Sequence, residues 1–149
     1  MQTQDYLNEN NILYKYQSGF RTKHSTDTCL SLLNEKIFTG IDNGMLTGMI
    51  LIDLQKTFDT IDHNVFFSKM AHLVFIQATI SWYKSYLTNR TFLFNVEKNL
   101  SSPGDLTCGV PQGSILGPLI FLLYVNDMSN SVDCDLLLYA DDSCLIFNV

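Results

Sequence analysis

The apolar residues fall into runs whose length or spacing predicts individual strands and helices. Met45–Leu54 is rich in Leu, Ile and Met and has the length of a buried strand. Leu136–Phe147 contains two such runs separated by Asp141 and Asp142, which predicts a hairpin with these acidic residues at its turn. Apolar positions with helical spacing predict four helices, over Asp27–Phe38, Asp62–Leu73, Ile80–Leu87 and about Leu119–Tyr124.

Polar segments separate these elements and supply candidate helix caps. Met1–Tyr16 is rich in Asn and predicts a polar lead-in with a single helical turn. Ser25 or Thr26 is the candidate N-cap of the first long helix, and Asp59 and Asp62 suit turn and cap roles before the second. Weaker patterns predict a strand over Arg90–Val96, a turn at Ser101–Gly104 and a loop over Asn130–Asp135.

Length and composition indicate one folded domain. The chain has 149 residues, of which 46% are hydrophobic, and a mean hydropathy of +0.10, values that argue against disorder. The longest apolar run, Ile115–Val125, is too short to cross a bilayer, and the N-terminus lacks the features of a signal peptide. The four cysteines show no metal-binding spacing, so we expect reduced thiols, no disulfide and an intracellular location, with nucleus and cytoplasm both open.

The charge is distributed unevenly along the chain. The net charge is −6, whereas a complete nucleic-acid enzyme is expected to carry a basic surface. All nine Lys and Arg residues lie at or before Lys98, where nine acidic residues balance them. From Asn99 onward there are six Asp residues and no Lys or Arg, so the excess of acid lies in the part that contains the predicted hairpin.

Three carboxylates follow or interrupt the predicted strands. Asp53 lies at the end of one apolar run, and Asp141 and Asp142 lie between two others. Adjacent Asp residues are also common in polar turns, which is the simpler interpretation of the pair alone. Together with Asp53, however, they form the ligand set that holds two divalent cations for phosphoryl transfer, since such cations prefer oxygen ligands.

A third motif, the Gly/Pro-rich loop Gly109–Pro118, leads into an apolar helix. In this order, Asp53, the loop with Pro111-Gln112-Gly113 and Tyr139-Ala140-Asp141-Asp142 resemble the palm of a reverse transcriptase. The flanking segments are similar to those of the non-LTR (LINE-type, Jockey-like) retrotransposon enzymes. These segments are Gln17–Arg21, Phe58–His63 and Ser85–Arg90, so the resemblance extends from about Gln17 to Phe147.

The resemblance implies an α+β fold: a palm with an antiparallel sheet and helices packed on one face, partial fingers and no thumb. Residues 1–16 would then be the lead-in, and residues 17–149 a partial reverse transcriptase domain comprising the end of the fingers and the palm. Family members usually have Gly where Val74 stands. Such a Gly ends a helix in a left-handed conformation that a β-branched residue adopts only at a cost.

The resemblance also implies RNA-directed DNA polymerisation by two-metal nucleotidyl transfer. Asp53, Asp141 and Asp142 would be catalytic and would hold two Mg²⁺ ions, with Mn²⁺ as an alternative. The backbone carbonyl of Leu54 would be a further ligand. The partners would be an RNA template, a DNA primer and deoxynucleoside triphosphates, with no membrane involved.

Four further residues are implied to contact substrate. Phe58 would lie under the sugar of the incoming nucleotide and exclude a 2′-hydroxyl; the alternative is an ordinary core aromatic. Gln112 would contact that nucleotide, and Gly113 would line the template groove. Arg21 would approach template or triphosphate, with a solvated loop charge as the alternative.

Three other functions are compatible with parts of this pattern. An RNA-templated RNA polymerase shares the carboxylates but disfavours an aromatic residue at position 58. A nucleotidyl cyclase has no use for the Pro111-Gln112-Gly113 loop. The third alternative is a decayed or domesticated transposon remnant that keeps a non-catalytic palm fold. We expect the chain to be a fragment that is inactive alone.

Overall fold

The computed structural model describes residues 2–111 and 113–149. Helices and strands alternate irregularly along the chain, as the α+β assignment predicts. Their order is α1 (Gln2–Glu9), α2 (Thr26–Asp42), β1 (Thr47–Asp53), α3 (His63–His72), α4 (Gln77–Leu87), β2 (Thr91–Phe92), β3 (Asn95–Val96), β4 (Asn99–Leu100), β5 (Gly104–Asp105), α5 (Gly117–Val125), a 3₁₀ helix (Met128–Ser131), β6 (Asp135–Tyr139) and β7 (Asp142–Asn148). The chain forms two compact units, Met1–Gln55 with Val125–Val149, and Lys56–Tyr124.

The first unit is built on an antiparallel sheet with the strand order β1-β7-β6. Helix α2 packs against β6 and β1, and its Lys36 Nζ lies 2.9 Å from a carboxylate oxygen of Asp135. Gly40 allows close packing, because a Cβ there would lie 2.3 Å from Thr47 Oγ1. Of the two candidate caps, Ser25 and Thr26, the structure selects Ser25, whose hydroxyl accepts a hydrogen bond from the Thr28 amide in a capping box.

The N-terminal segment contributes to the core of this unit. Leu7 is fully buried, and α1 spans eight residues, so the helix is longer than the single turn that the sequence predicts. The Asn126 side chain accepts a hydrogen bond from the Tyr14 amide and donates one to the Ile12 carbonyl. Leu30, one of the apolar residues of α2, is exposed.

The second unit packs α3 against α4. The rings of Phe66 and Tyr83 lie 5.7 Å apart in an edge-on arrangement, and α5 supplies a continuous apolar segment over Leu119–Leu123. The Asp62 carboxylate caps α3 by accepting hydrogen bonds from the Asn64 and Val65 amides, which confirms its predicted role.

The predicted strand Arg90–Val96 is wrong as one element. Two separate two-residue strands, β2 and β3, take its place and pair with β5 and β4, respectively. Every residue from 91 to 100 is exposed, so no buried face imposes the alternation that a longer strand requires.

Within the described ranges, no helix combines the length and the apolar character needed to cross a bilayer. The four cysteines are free thiols.

Candidate active site

The strand register brings the acidic positions to one end of the sheet. Asp53, the last residue of β1, lies directly opposite Asp142, the first residue of β7. The amide of Leu54 donates a 3.3 Å hydrogen bond to the carbonyl of Asp141, which extends the contact past the end of the strands. Directly opposed residues of an antiparallel pair point to the same face, so Asp53 and Asp142 share one face of the sheet.

A two-residue turn places Asp141 beside this pair. Tyr139 pairs with Asp142, leaving Ala140 and Asp141 as the turn between β6 and β7. Ala140 has a φ of 55°, and the positive angle at the first turn residue matches a type II′ hairpin, which usually has Gly there. Buried Leu136, Leu137 and Leu138 anchor β6 and thereby fix the base of the turn.

The three carboxylates receive no compensating cation from the described residues. Asp53 and Asp142 are exposed and Asp141 is half-buried, and a basic residue of this unit, Lys36, forms a salt bridge with Asp135 instead. Like charges directly opposite each other in a sheet repel. Among the described residues, no three His, Cys, Asp or Glu side chains converge on a point where they could hold a metal ion. The fold thus places Asp53, Asp141 and Asp142 at one end of the sheet. Their carboxylates do not converge on one point among the described residues.

The turn lies against the segment Gln17–Gly19, a contact that the sequence alone does not predict. The Gln17 side chain is buried and accepts a hydrogen bond from the Ala140 amide at 3.1 Å. The only sequence signal was the presence of Gln17 in a family-like segment, which says nothing of this contact.

Arg21 is engaged within its own loop. Its guanidinium donates hydrogen bonds to the carbonyls of Tyr14 and Gln17, at 3.0 and 3.2 Å. Burial lowers the pKa of the Arg21 side chain. These contacts brace the loop, and the role of Arg21 in substrate binding stays a prediction.

The second unit contains a cavity of about 270 Å³. Phe58 lines it and is half-buried, and the Phe58 ring lies 5.6 Å from that of Phe121. The other lining residues come from the Gly/Pro-rich loop and the start of α5: Val110, Pro111, Gly113, Ser114, Gly117 and Pro118. Phe58 thus has both a core contact and an open side, and its role as a steric gate stays a prediction.

The loop is fixed to the Phe58 segment by its backbone. The Val110 amide donates a 2.8 Å hydrogen bond to the Phe58 carbonyl. Gly109 has a φ of 79°, and a Cβ there would lie 2.7 Å from the carbonyl oxygens of Phe58 and Asp59, so the position requires glycine. Gly113 is exposed with a φ of 75°, whereas Gln112 lies outside the described residues.

Comparison with known proteins agrees with these features. The profile of the family described as reverse transcriptase (RNA-dependent DNA polymerase) matches residues 1–148. A probable RNA-directed DNA polymerase from transposon BS of Drosophila melanogaster is 34% identical over 97% of the chain. The RNA-directed DNA polymerase from mobile element jockey of the same organism is 30% identical over 89% of the chain.

The matched segment is a small part of these relatives. The chain spans 17% of the transposon BS protein and 15% of the jockey protein. An apo telomerase from Candida tropicalis, truncated from its C-terminal domain, has a similar fold, with a TM-score of 0.62 over 97% of this chain and 33% of the telomerase chain. At 18% identity, this likeness concerns the fold alone.

Proposed function

The chain belongs to the reverse transcriptase (RNA-dependent DNA polymerase) family, as a domain of the non-LTR retrotransposon type, and from this we propose that it carries the catalytic palm for RNA-directed DNA synthesis. The observation that carries the proposal is the register of Asp53 opposite Asp142, with Asp141 in the adjoining turn. Its substrates would be an RNA template, a DNA primer and deoxynucleoside triphosphates.

Asp53, Asp141 and Asp142 would hold two Mg²⁺ ions, or Mn²⁺, and the Leu54 carbonyl would be a further ligand. Carboxylate and carbonyl oxygens are the donors that these hard cations prefer. Bound there, the metals would supply charge neutralisation at the primer 3′-hydroxyl and at the leaving pyrophosphate. Asp53 and Asp142 are exposed and form no salt bridge with another described residue, which suits this role, because a side chain already bound in a salt bridge would have to give up its partner.

The cavity beside Phe58 would bind the incoming nucleotide. The aromatic ring would stand where a ribose 2′-hydroxyl would otherwise fit and so select deoxynucleotides. Its contact with Phe121 supports this, because a gate discriminates only if its ring is held in place. Gln112 would contact the same nucleotide, exposed Gly113 would line the template groove, and Arg21 would stabilise the loop or approach a phosphate.

Metal titration tests the carboxylate assignment directly. We expect the 149-residue chain to bind Mn²⁺ weakly, and Asp53→Asn and Asp141→Asn each to reduce that binding, as measured by electron paramagnetic resonance of free Mn²⁺. Asp133→Asn is the matched control, because Asp133 is an exposed loop residue. Equal binding by all four proteins would contradict the assignment.

A chimera tests the activity. The matching segment of the transposon BS polymerase is replaced by this chain, and extension of a DNA primer on an RNA template is measured. We expect extension that Asp141→Asn abolishes. A folded chimera without activity, beside an active parent polymerase, would favour the non-catalytic remnant.

A further inference from the structure

One buried side chain holds the turn that carries Asp141. Gln17 is 3% exposed, and its Oε1 accepts hydrogen bonds from the amides of Gly19, at 2.7 Å, and of Ala140, at 3.1 Å. Its Nε2 donates to the carbonyl of Ala140 at 3.4 Å. Both backbone polar groups of Ala140 are therefore bound by the same amide.

The backbone around Gln17 runs alongside β6. Gln17 forms a parallel bridge with Leu138, the Ser18 amide donates to the Leu138 carbonyl at 2.8 Å, and the Leu138 amide donates to the Tyr16 carbonyl at 3.0 Å. The segment is thus paired with the end of β6, directly before the hairpin turn. These backbone hydrogen bonds hold Gln17 in place, so that its side-chain amide lies next to Ala140.

Gly19 closes the contact from the other side. A Cβ at Gly19 would lie 2.0 Å from the Ala140 amide nitrogen and 2.6 Å from its Cα. These are backbone atoms, so any larger residue at position 19 must displace the turn itself. We call Gln17, Gly19 and Ala140 together the Gln17 clamp.

The turn needs such support because of its conformation. Ala140 has a positive φ of 55°, which residues with a Cβ disfavour, and it lies directly before Asp141. Such conformations persist where the surrounding structure holds them. Since the Asp141 carbonyl also accepts the Leu54 amide, a shift of Ala140 would change the placement of Asp141 relative to β1.

We propose that Gln17 is a positioning residue that, through the Gln17 clamp, fixes Asp141 and Asp142 for metal binding. Groups that orient metal ligands from behind affect the affinity of the site without touching the metal. The contact itself follows from the hydrogen bonds, whereas its consequence for catalysis rests on the proposed function.

Gln17→Met tests the clamp, because methionine has a similar length and cannot form these hydrogen bonds. Asn126→Leu is the matched control. The Asn126 amide likewise joins two backbone groups, accepting from Tyr14 at 2.7 Å and donating to Ile12 at 2.8 Å, away from the turn. Both variants remove an amide side chain that joins backbone groups within the same unit.

Two measurements follow, neither of which depends on activity. Amide hydrogen exchange at Ala140 should accelerate in Gln17→Met and stay unchanged in Asn126→Leu. We expect Mn²⁺ affinity to fall about 10-fold in Gln17→Met, the lower end of what such supporting contacts usually contribute, and to stay at the parent value in Asn126→Leu.

Gly19→Ala keeps the test decisive if Gln17→Met does not fold. It retains the Gln17 amide but displaces Ala140, so it should also weaken Mn²⁺ binding, with circular dichroism confirming the fold. Unchanged affinity in the folded variants, or an equal loss in Asn126→Leu, would overturn the proposal.

The Mn²⁺ affinity of Asp141→Asn distinguishes failure of the proposed function from failure of the Gln17 clamp. If Asp141→Asn leaves Mn²⁺ binding unchanged, the metal assignment fails whatever happens at Gln17. If Asp141→Asn weakens binding but Gln17→Met does not, the metal assignment stands and the clamp alone is overturned.

Discussion

Replacing Val74 by glycine should stabilise the chain, because this residue ends α3 in a conformation that valine disfavours. Val74 has a φ of 59° and follows the C-cap residue Leu73. Its amide donates to the Ala71 carbonyl at 3.2 Å, and the Phe75 amide donates to the Met70 carbonyl at 3.3 Å. This pair of hydrogen bonds is the Schellman motif, in which glycine is the preferred residue at the left-handed position.

The size of the effect follows from two opposing terms. An L-residue in the left-handed region costs about 1–2 kcal/mol relative to glycine. Glycine also raises the conformational entropy of the unfolded chain, which lowers the free energy of unfolding by about 0.4–1 kcal/mol. Val74 is 78% exposed, so little apolar burial is lost with its side chain. The midpoints of the two ranges leave a gain of about 0.8 kcal/mol, which for a chain of this size raises Tm by roughly 2–3 °C.

Urea denaturation followed by circular dichroism measures this gain as a higher midpoint with an unchanged m-value. Val74→Ala is the first control and should gain less, because alanine keeps the Cβ. Ala71→Gly is the second control: it places glycine at an exposed helical position of α3 and should cost about 0.5–1 kcal/mol. A Val74→Gly midpoint below that of the parent, close to that of Ala71→Gly, would refute the assigned helix end.

Three further predictions concern the site and the fold. In the active chimera, Phe58→Ala should incorporate ribonucleotides that the parent rejects. The control Phe94→Ala, at an exposed aromatic residue, should not incorporate them. Unchanged discrimination between ribonucleotides and deoxynucleotides in Phe58→Ala would assign Phe58 to the core. Asp62→Ala should lower the free energy of unfolding by about 0.5–2 kcal/mol, because the amides at the start of α3 lose their acceptor, and an unchanged urea midpoint would contradict the cap. The purified 149-residue chain should not extend a DNA primer on an RNA template, because its net charge is −6 and residues 99–149 contain no Lys or Arg to bind phosphates; extension that Asp141→Asn abolishes would prove this wrong.

The features that sequence predicted correctly are those set by neighbouring residues. The caps at Ser25 and Asp62 depend on a side chain and amides within three residues, and the hairpin around Asp141 depends on a turn between two adjacent strands. The left-handed position at Val74 is likewise local, since its hydrogen bonds close within the end of one helix.

The features that sequence missed depend on distant partners. Gln17 and Ala140 are 123 positions apart, and Asn126 and Tyr14 are 112 apart, so no local pattern indicates either contact. Burial of Leu7 is not predicted for the same reason, because the sequence of α1 is mostly polar and contains a single leucine, which indicates a solvated helix unless the rest of the core is known.

The pairing register of β1 and β7, which places Asp53 opposite Asp142, also depends on residues far apart in the chain. The sequence nevertheless indicates this register through the pair Gly48 and Phe147. Gly48 lies directly opposite Phe147, and a Cβ at Gly48 would be 2.2 Å from the Phe147 ring, so the aromatic side chain occupies the space that the glycine leaves. A slip of one residue would place that ring over Thr47 or Met49, which have side chains of their own, and would also move each residue of the strand to the other face. Gly48 lies five residues before Asp53, and Phe147 lies five residues after Asp142. In an antiparallel pair, these equal spacings mean that the pairing of glycine with phenylalanine at one end places Asp53 opposite Asp142 at the other.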